Sequence, residues 1–350
     1  MRFLYTKLLK PALFLFDPEV IHELFVFFGE LLGSNPLTRF LVSVFYGFRG
    51  KDISKVVDGI RYKTPILLSA GFDYNGRLAK VLSALSFGGE EVGSVTYRPC
   101  VGNPKPRLRR LLNTQSILVN KGLRNDGVDK IIKRLKRKGK SKDFVLGVSI
   151  ARTNDQKTSS IEESINDFAQ TFRKFNEEDI GDFYTINISC PNAFGGEDFG
   201  SVDLLPKLLQ KIKNIECKRP IYIKMPINRT WDEFKSLLDI CDRFSINGVV
   251  IGNLNKDYSF IKGGDIKPDI YSGGLSGRPC FDMSNDLIRK TREQFGDRFT
   301  IIGVGGIFSY DDAREKFNAG ADLVELITGM IFEGPQIVRE ICSGIAKSKS

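Results

Sequence analysis

From residue 60 onward, short apolar runs rich in β-branched residues alternate with longer stretches of helical periodicity. The apolar runs predict eight strands, at 65–70, 91–96, 144–150, 183–188, 221–225, 248–252, 300–304 and 323–327. The stretches after them predict helices, at about 76–86, 126–138, 161–175, 202–213, 231–243, 283–294, 310–319 and 335–347. Because strand-then-helix units repeat along the whole segment, we predict an α/β fold of the (β/α)₈ TIM-barrel type.

Residues 1–48 have a different pattern and are crowded with phenylalanine, leucine and valine. Asp17-Pro18 predicts the start of a helix that runs to about Leu32, and Asn35-Pro36 opens a second helix that ends near Tyr46. Apolar residues cover more than one face of the first helix. We therefore predict a helical domain at 1–48 and a barrel domain at 49–350. The helical pair either packs on the barrel as a cap or lies in a membrane interface.

Composition narrows the classes of function. No apolar run reaches the roughly 18 residues of a membrane-spanning helix, and the N-terminus lacks the cleavage pattern of a signal peptide. The six cysteines include no C-x-x-C pair, so we expect a reduced cytosolic chain without a disulfide framework or a metal site. The net charge of +10 comes partly from a basic run at 130–142. That run has no interleaved aromatics, so we expect no nucleic-acid partner, although the charge favours an anionic membrane surface.

One segment at the end of a predicted strand carries candidate chemistry. The strand at 183–188 stops before Pro191, which places Asn187, Cys190 and Asn192 together at its carboxyl end. A thiol has a pKa of about 8.5, so Cys190 can act as a base or a nucleophile near neutral pH. An isolated cysteine is otherwise more often a structural core residue. The two amides suit a flat polar ligand that has both N–H and C=O groups.

Glycine-rich turns follow the later strands, at 272–278, 303–306 and 328–329. In a barrel these turns meet on the active face, where their backbone N–H groups could hold a phosphate. No G-x-G-x-x-G opens a helix, so a nicotinamide site of the Rossmann type is not supported. A phosphate site beside a thiol and amides indicates flavin mononucleotide (FMN). Two long connections, 97–125 and 253–282, are predicted to act as lids or substrate clamps.

At this point the sequence resembles the dihydroorotate dehydrogenases, flavin enzymes that oxidise dihydroorotate to orotate in pyrimidine synthesis. The resemblance covers nearly the whole chain and is carried by Asp17-Pro18-Glu19 with His22, Ser69-Ala70-Gly71, Gly102 to Arg107, Asn187 to Asn192, Ser272 to Arg278, and Ile301 to Gly306. The N-terminal helices and Thr96-x-Arg98-Pro99 resemble class 2, the membrane-associated branch that reduces quinones.

The resemblance implies a role for each matching residue. It makes Cys190 the catalytic base that takes the substrate's C5 proton while a hydride leaves C6 for the flavin. It implies a quinone tunnel under the helices and a peripheral position on the cytoplasmic side of the cell membrane. The implied pyrimidine-binding residues are Asn120, Asn187, Asn192 and Asn253; the implied FMN-binding residues are Ala70, Gly71, Ser94, Lys224, Ser276, Gly277, Gly306 and Thr328; the implied tunnel residues are His22 and Arg110.

Several positions depart from the family pattern. Class 2 enzymes carry serine where Cys190 stands, and cysteine belongs to the soluble class 1 branch. Tyr74 replaces a lysine that would meet the substrate carboxylate, and the loop around Asn120 is one residue shorter. Ser149 stands in place of an asparagine and Ile327 in place of a tyrosine. Three interpretations follow: quinone-dependent oxidation of dihydroorotate, the same oxidation with a soluble acceptor such as fumarate, and a divergent flavoprotein that acts on another dihydropyrimidine or is inactive.

Overall fold

The computed structural model describes residues 2–189, 199–265 and 273–348. Its first part is helical: α1 (Arg2–Leu4), a π-helical stretch (Tyr5–Leu9), α2 (Lys10–Phe14), α3 (Pro18–Ser34) and α4 (Pro36–Tyr46). The starts of α3 and α4 follow from side-chain capping, because Asp17 accepts from Glu19 N at 2.8 Å and Asn35 accepts from Leu37 N at 2.8 Å. The helical segment at 2–14 was not predicted. None of the described helices is both long enough and apolar enough to cross a membrane.

The described chain then forms strands that alternate with helices. The strands are β1 (Lys55–Val57), β2 (Ile60–Tyr62), β3 (Ile66–Leu68), β4 (Gly89–Val95), β5 (Leu108–Leu111), β6 (Ser116–Val119), β7 (Val145–Ile150), β8 (Phe183–Asn187), β9 (Ile221–Met225), β10 (Gly248–Ile251), β11 (Gly274–Leu275), β12 (Thr300–Val304) and β13 (Leu323–Leu326). The later α-helices are α5 (Ala79–Ala84), α6 (Val128–Lys138), α7 (Ile161–Glu177), α8 (Leu205–Lys213), α9 (Trp231–Arg243), α10 (Phe281–Phe295), α11 (Tyr310–Ala319), α12 (Thr328–Glu333) and α13 (Ile337–Ser348). Short 3₁₀ turns lie at Gln156–Thr158, Tyr258–Phe260, Arg278–Cys280 and Gly296–Arg298.

The predicted (β/α)₈ barrel is confirmed. Strands β3, β4, β7, β8, β9, β10, β12 and β13 close in that order, and all their pairings are parallel. Closure brings the carboxyl ends of all eight strands to one rim, where barrel active sites lie. Apolar side chains between the strands and the outer helices form the main core.

The amino-terminal end of the barrel is plugged by the hairpin β1–β2. Tyr62 of this hairpin is buried and packs with Phe183 and Tyr222 inside the barrel. The Tyr222 hydroxyl donates to Asp58 Oδ2 at 2.6 Å, which ties the hairpin turn to the barrel. The opposite end is therefore the open one.

The two long connections, which we expected to be loops, pair with each other. β5, β6 and β11 form an antiparallel sheet in which Gly274 pairs with Val119. Buried Leu111, Leu118 and Leu275 give this sheet a small core of its own. The described parts of the two connections are thus joined by this three-stranded sheet, which we call the cover sheet.

Candidate active site

A cavity of about 480 Å³ extends from the open rim of the barrel to the N-terminal helices. This volume is in the range of small-molecule sites. The cavity brings together most of the residues that the sequence singled out: Ala70, Gly71, Ser94, Asn187, Lys224, Asn253, Ser276 and Thr328 at the rim, and His22 and Arg110 under the helices. Cys190, Asn192 and Ser272 lie outside the described residues.

Lys224 lies deep in the barrel among acidic residues. Its Nζ is 3.2 Å from Ser69 Oγ, 3.9 Å from Glu91 Oε2 and 4.0 Å from Glu325 Oε2. Burial, followed by the charge of Glu91, raises the pKa of Glu325 to about 8, and burial raises the pKa of Glu91. Burial thus raises the pKa of both carboxyls, and Lys224 Nζ lies within 4.0 Å of each of them.

Polar side chains link the rim from strand to strand. Asn187 Nδ2 donates to Ser94 Oγ at 2.9 Å, and Ser94 Oγ lies 2.8 Å from Ser149 Oγ. Asn253 Nδ2 donates to the Ser189 carbonyl at 3.1 Å. These bonds connect the ends of β4, β7, β8 and β10, so the amides at the cavity wall are held in fixed positions.

Glycines shape the rim where the chain approaches the cavity most closely. Gly71 has φ +108°, and a β-carbon there would meet only Ile327 Cδ1, at 3.8 Å. At Gly277, with φ +76°, a β-carbon would lie 2.3 Å from the Gln115 carbonyl oxygen. The first position leaves the backbone open to a flat ligand, and the second holds a tight turn that only glycine permits.

The expected phosphate end of the site is built from hydroxyls and backbone. Ser276 Oγ and Thr328 Oγ1 are 2.8 Å apart and both line the cavity. Gly306, with φ +74°, lies in the loop after β12, and its carbonyl accepts from Arg278 Nη1 at 3.2 Å. Arg278 itself pairs with Asp312 at 2.6 Å. These residues fit the phosphate of a mononucleotide through hydroxyl and backbone N–H donors.

Asn120 has a different environment from the other predicted amides. Asn103 Nδ2 donates to its Oδ1 at 2.7 Å, and the backbone N–H of Asn120 donates to the Arg107 carbonyl at 2.8 Å. Its neighbours Val119 and Lys121 line the cavity. The role of Asn120 toward a pyrimidine stays a prediction.

Under the helices, His22 and Arg110 face the far end of the same cavity. His22 Nε2 is 2.8 Å from the Phe72 carbonyl oxygen, so Nε2 carries the proton, and Nδ1 has no hydrogen-bond partner among the described residues. Burial, with repulsion from Lys121, lowers the pKa of His22 to about 4, so the imidazole is neutral. Arg110 Nη1 donates to the Phe16 carbonyl at 2.7 Å.

The sequence did not predict two sets of charged contacts in this region. No role was predicted for Glu91 and Glu325, because only closure of the barrel brings these two side chains close to Lys224. Glu19 was noticed as part of a motif, but its side chain forms ion pairs with Arg107, Lys121 and Arg124. The sequence does show that Glu91 and Glu325 interrupt apolar strand segments, and a buried carboxylate usually has a charged partner.

The fold and the cavity define a (β/α)₈-barrel enzyme whose polar side chains converge at the carboxyl ends of the strands. The sequence profile of the family described as dihydroorotate dehydrogenase matches residues 53–348. Over 349 residues, the chain is 35% identical to dihydroorotate dehydrogenase (quinone) of Aliivibrio salmonicida, covering 97% of this chain and 99% of the relative. It is 32% identical to the protein of the same name from Thermosynechococcus vestitus, with 97% and 96% covered.

The solved structures agree with the fold. A crystal structure of DHODH from Eimeria tenella in complex with ferulenol has a TM-score of 0.78 at 24% identity, and the match covers 94% of this chain and 90% of that chain. The ligand-free form has a TM-score of 0.77. The chain belongs to the dihydroorotate dehydrogenase family. It is an oxidoreductase, and membership of this family implies a flavin cofactor.

Proposed function

We propose that this chain oxidises dihydroorotate to orotate in de novo pyrimidine biosynthesis and passes the electrons to a membrane quinone. The observation that carries the proposal is the continuity of the cavity, which joins Lys224 and Asn187 in the barrel to His22 and Arg110 under the helices. A cofactor in the barrel and an acceptor under the helices would share one enclosed space. The names of the curated relatives support the same reaction.

The cofactor in this proposal is FMN. Ala70, Gly71 and Ser94 would surround its ring, and Ser276, Gly277, Gly306 and Thr328 would hold its phosphate. When bound, the flavin accepts a hydride from the substrate and supplies two electrons to the acceptor. Lys224 would place a positive charge beside the ring, and Glu91 and Glu325 keep that lysine in position from within the barrel.

The substrate would lie over the rim amides. Asn187 and Asn253 are held by neighbouring polar groups and present donors and acceptors that match a pyrimidine's N–H and C=O groups. Asn192 and Asn120 complete the proposed set. Cys190 would take the proton from C5 of the substrate, as its place beside Asn187 in the sequence suggests.

The two polar residues of the proposed quinone site, His22 and Arg110, differ in whether they accept or donate hydrogen bonds. The neutral His22 has a lone pair on Nδ1, so this nitrogen can accept a hydrogen bond from an O–H group of the reduced hydroquinone. Arg110 is always a donor and suits a carbonyl oxygen of the oxidised quinone. The pair could therefore bind both forms of the acceptor at one end of the cavity.

We also propose that the helices lie on the cytoplasmic face of the cell membrane. Val20, Leu24, Phe27 and Leu31 recur on one outward face of α3 and are all more than 40% exposed. A helix that lies in the bilayer interface buries such a face without spanning the membrane.

The proposal is tested by following the flavin through each half of the reaction. Purified protein should be yellow, and anaerobic dihydroorotate should bleach the flavin absorbance. A quinone should then restore the absorbance faster than fumarate does. A protein that binds no flavin, or a flavin that dihydroorotate leaves oxidised, would refute the oxidation. Efficient recovery with fumarate and none with quinone would refute the acceptor.

Substitution of Cys190 tests the base. Cys190→Ala should keep the flavin while slowing its reduction by about 10² to 10⁴, the usual effect of losing a general base. Cys190→Ser should keep part of the rate with an optimum at higher pH, because a hydroxyl ionises less readily than a thiol. Reoxidation by quinone serves as the internal control, since it should be unchanged. Normal flavin reduction in Cys190→Ala would remove the thiol from the mechanism.

A further inference from the structure

Four basic side chains line the cavity among the described residues: Arg110, Lys121, Arg124 and Lys224. Lys224 has two carboxyls within 4.0 Å, and Arg110 donates to main-chain carbonyls at the helical end. The segment 190–198, which carries Cys190, contains no lysine, arginine or histidine. Among the cavity-lining cations of the described residues, Lys121 and Arg124 are therefore the two that remain to meet an anionic group at the rim.

Lys121 is the more enclosed of these two cations. Only 10% of its side chain is exposed, against 37% for Arg124, which is also held by Glu23. Lys121 Nζ is 4.9 Å from the centre of the Tyr74 ring and 2.9 Å from Glu19 Oε1. The ammonium is thus fixed at the cavity wall by one carboxylate oxygen and one aromatic face.

The charges around Lys121 do not cancel. Glu19 Oε1 also accepts from Arg107 at 3.0 Å and from Arg124 at 3.3 Å, so one oxygen serves three cations. Glu19 and Glu23 together supply two negative charges against the three positive ones. His22 is neutral, and burial raises the pKa of Tyr74, which keeps its phenol uncharged. A surplus positive charge therefore lies at a mostly apolar cavity wall, where an anion would compensate it.

We propose that Lys121 binds the carboxylate of the substrate and so determines that the substrate is an anionic dihydropyrimidine. This inference rests on the proposed function, which supplies a ring bearing one carboxylate. A carboxylate that leaves water needs a charged partner, and an ammonium with three donors can hold Glu19 and the substrate together. Glu19 acts as a positioning residue, and because it belongs to α3, the substrate side of the cavity is tied to the helix that carries His22.

Binding of orotate and of uracil separates charge recognition from ring recognition, since uracil lacks the carboxylate. Both dissociation constants can be measured from the change in flavin absorbance and by calorimetry. Lys121→Met should weaken orotate about 10- to 100-fold, the usual contribution of a hydrogen bond to a charged group, and leave uracil within threefold. Lys121→Gln removes the charge but keeps a hydrogen-bond donor for Glu19, and it should weaken orotate binding to the same extent. It serves as the test if Lys121→Met does not fold.

Two further variants sharpen the test. Tyr74→Lys, added to Lys121→Met, should recover at least tenfold of the orotate affinity, because the new ammonium would reach the space that Lys121 Nζ shares with the Tyr74 ring. Lys138→Met is the matched control: it removes another lysine that pairs with a glutamate of α3, Glu30, away from the cavity, and should leave orotate binding unchanged.

The two levels of proposal fail differently. If the wild-type protein neither binds orotate nor is reduced by dihydroorotate, the proposed function is wrong. If the wild-type protein binds orotate and both Lys121 variants bind it within threefold, the function stands and the assignment of Lys121 is wrong. Equal weakening of orotate and uracil would likewise overturn the assignment.

Discussion

The barrel and the N-terminal helices distribute their apolar residues in opposite ways. Every residue of β7, β9, β10 and β13 is buried. In α3 the buried residues are Glu19, His22, Val26 and Gly33, and α4 buries none. Most of the exposed large apolar side chains of the described chain belong to its first 45 residues. The barrel is stabilised by its own core, whereas the helices leave most of their apolar surface uncovered.

Polar contacts attach the helices to the barrel. Glu19 pairs with three cations that flank strands β5 and β6, Glu30 pairs with Arg77 and Lys138, and Arg2 pairs with Glu333 at 2.6 Å. A helix of a soluble protein usually turns its apolar stripe inward and its charges outward. In α3 the buried residues include Glu19 and His22, whereas the apolar side chains of Val20, Phe27 and Leu31 are exposed.

The largest effect is expected on the exposed apolar face of α3. Leu24→Glu, Phe27→Glu and Leu31→Glu together should abolish binding to phospholipid vesicles in a sedimentation assay. Each side chain is about half exposed and would gain about half of the 1.5 to 3 kcal/mol of full burial, and each new carboxylate resists leaving water. The combined loss should therefore exceed about a hundredfold in affinity. Folding should be unaffected, because these residues are 42%, 55% and 57% exposed.

The control for this variant makes the same change on the barrel. Val56→Glu, Val101→Glu and Val202→Glu replace apolar residues that are 65%, 82% and 52% exposed. This control should sediment with vesicles as the wild type does. Equal sedimentation of both triple variants would show that the outward face of α3 has no special affinity for lipid.

The next effect concerns the polar attachment. Glu19→Ala leaves three cations facing one another at a buried position and should weaken the docking of α3 by about 3 to 5 kcal/mol, the usual cost of breaking a buried pair. Hydrogen exchange should then be faster in α3 while the barrel strands stay protected. Glu23→Ala, one turn along the same helix, removes a 42% exposed carboxylate and should cost less than about 1 kcal/mol.

Acid should reproduce part of the Glu19 effect. Burial alone would raise the pKa of Glu19, but Lys121 and Arg107 outweigh it and lower the pKa below its ordinary value. A lowered carboxyl pKa contributes stability above the ordinary pKa, and that contribution is lost as the pH falls through the lowered one. The protection factors of the α3 amides, which correct for the intrinsic pH dependence of exchange, should therefore fall below about pH 4.5 in the wild type. If the protection factors of Glu19→Gln fell in the same way, another group would be responsible.

Sequence patterns sufficed for the barrel because each strand is a local apolar run. The predicted strands 221–225 and 300–304 coincide with β9 and β12, and the other barrel strands differ by one to three residues at their ends. The cover sheet could not be predicted in this way. Leu108–Leu111 contains two arginines, and β11 is two residues long and pairs with a strand more than 150 positions earlier. Such pairing depends on tertiary context rather than on local propensity.

In the candidate site, too, some residues could be placed from the sequence and others could not. Asn187, Asn253 and Lys224 could be placed by position, because strand ends in a barrel converge. The partners of Lys224 could not, since Glu91 and Glu325 lie on strands far apart in sequence. The ion pairs of Glu19 join α3 to loop residues that are 88 to 105 positions away in the sequence.

The smallest expected effect concerns a buried carboxyl group in the barrel, Glu90. Glu90 of β4 is fully buried, and neither of its carboxyl oxygens has a hydrogen-bond partner among the described residues. Burial, with repulsion from Asp73, raises the pKa of Glu90 well above its ordinary value. A raised carboxyl pKa means that the folded state holds the proton more tightly than the unfolded state. The free energy of unfolding should therefore fall as the pH rises from about 4.5 toward the raised pKa.

Glu90→Gln removes this titration and keeps the shape of the side chain. The variant should unfold like the wild type at pH 5 and should be more stable than the wild type at pH 8, where the wild-type side chain must either keep its proton or bury a charge. Urea denaturation at both pH values measures the difference. Glu177→Gln makes the same charge change at the exposed end of α7 and should stay within about 0.5 kcal/mol at either pH. Parallel pH profiles for Glu90→Gln and the wild type would mean that the barrel accommodates the Glu90 charge without cost.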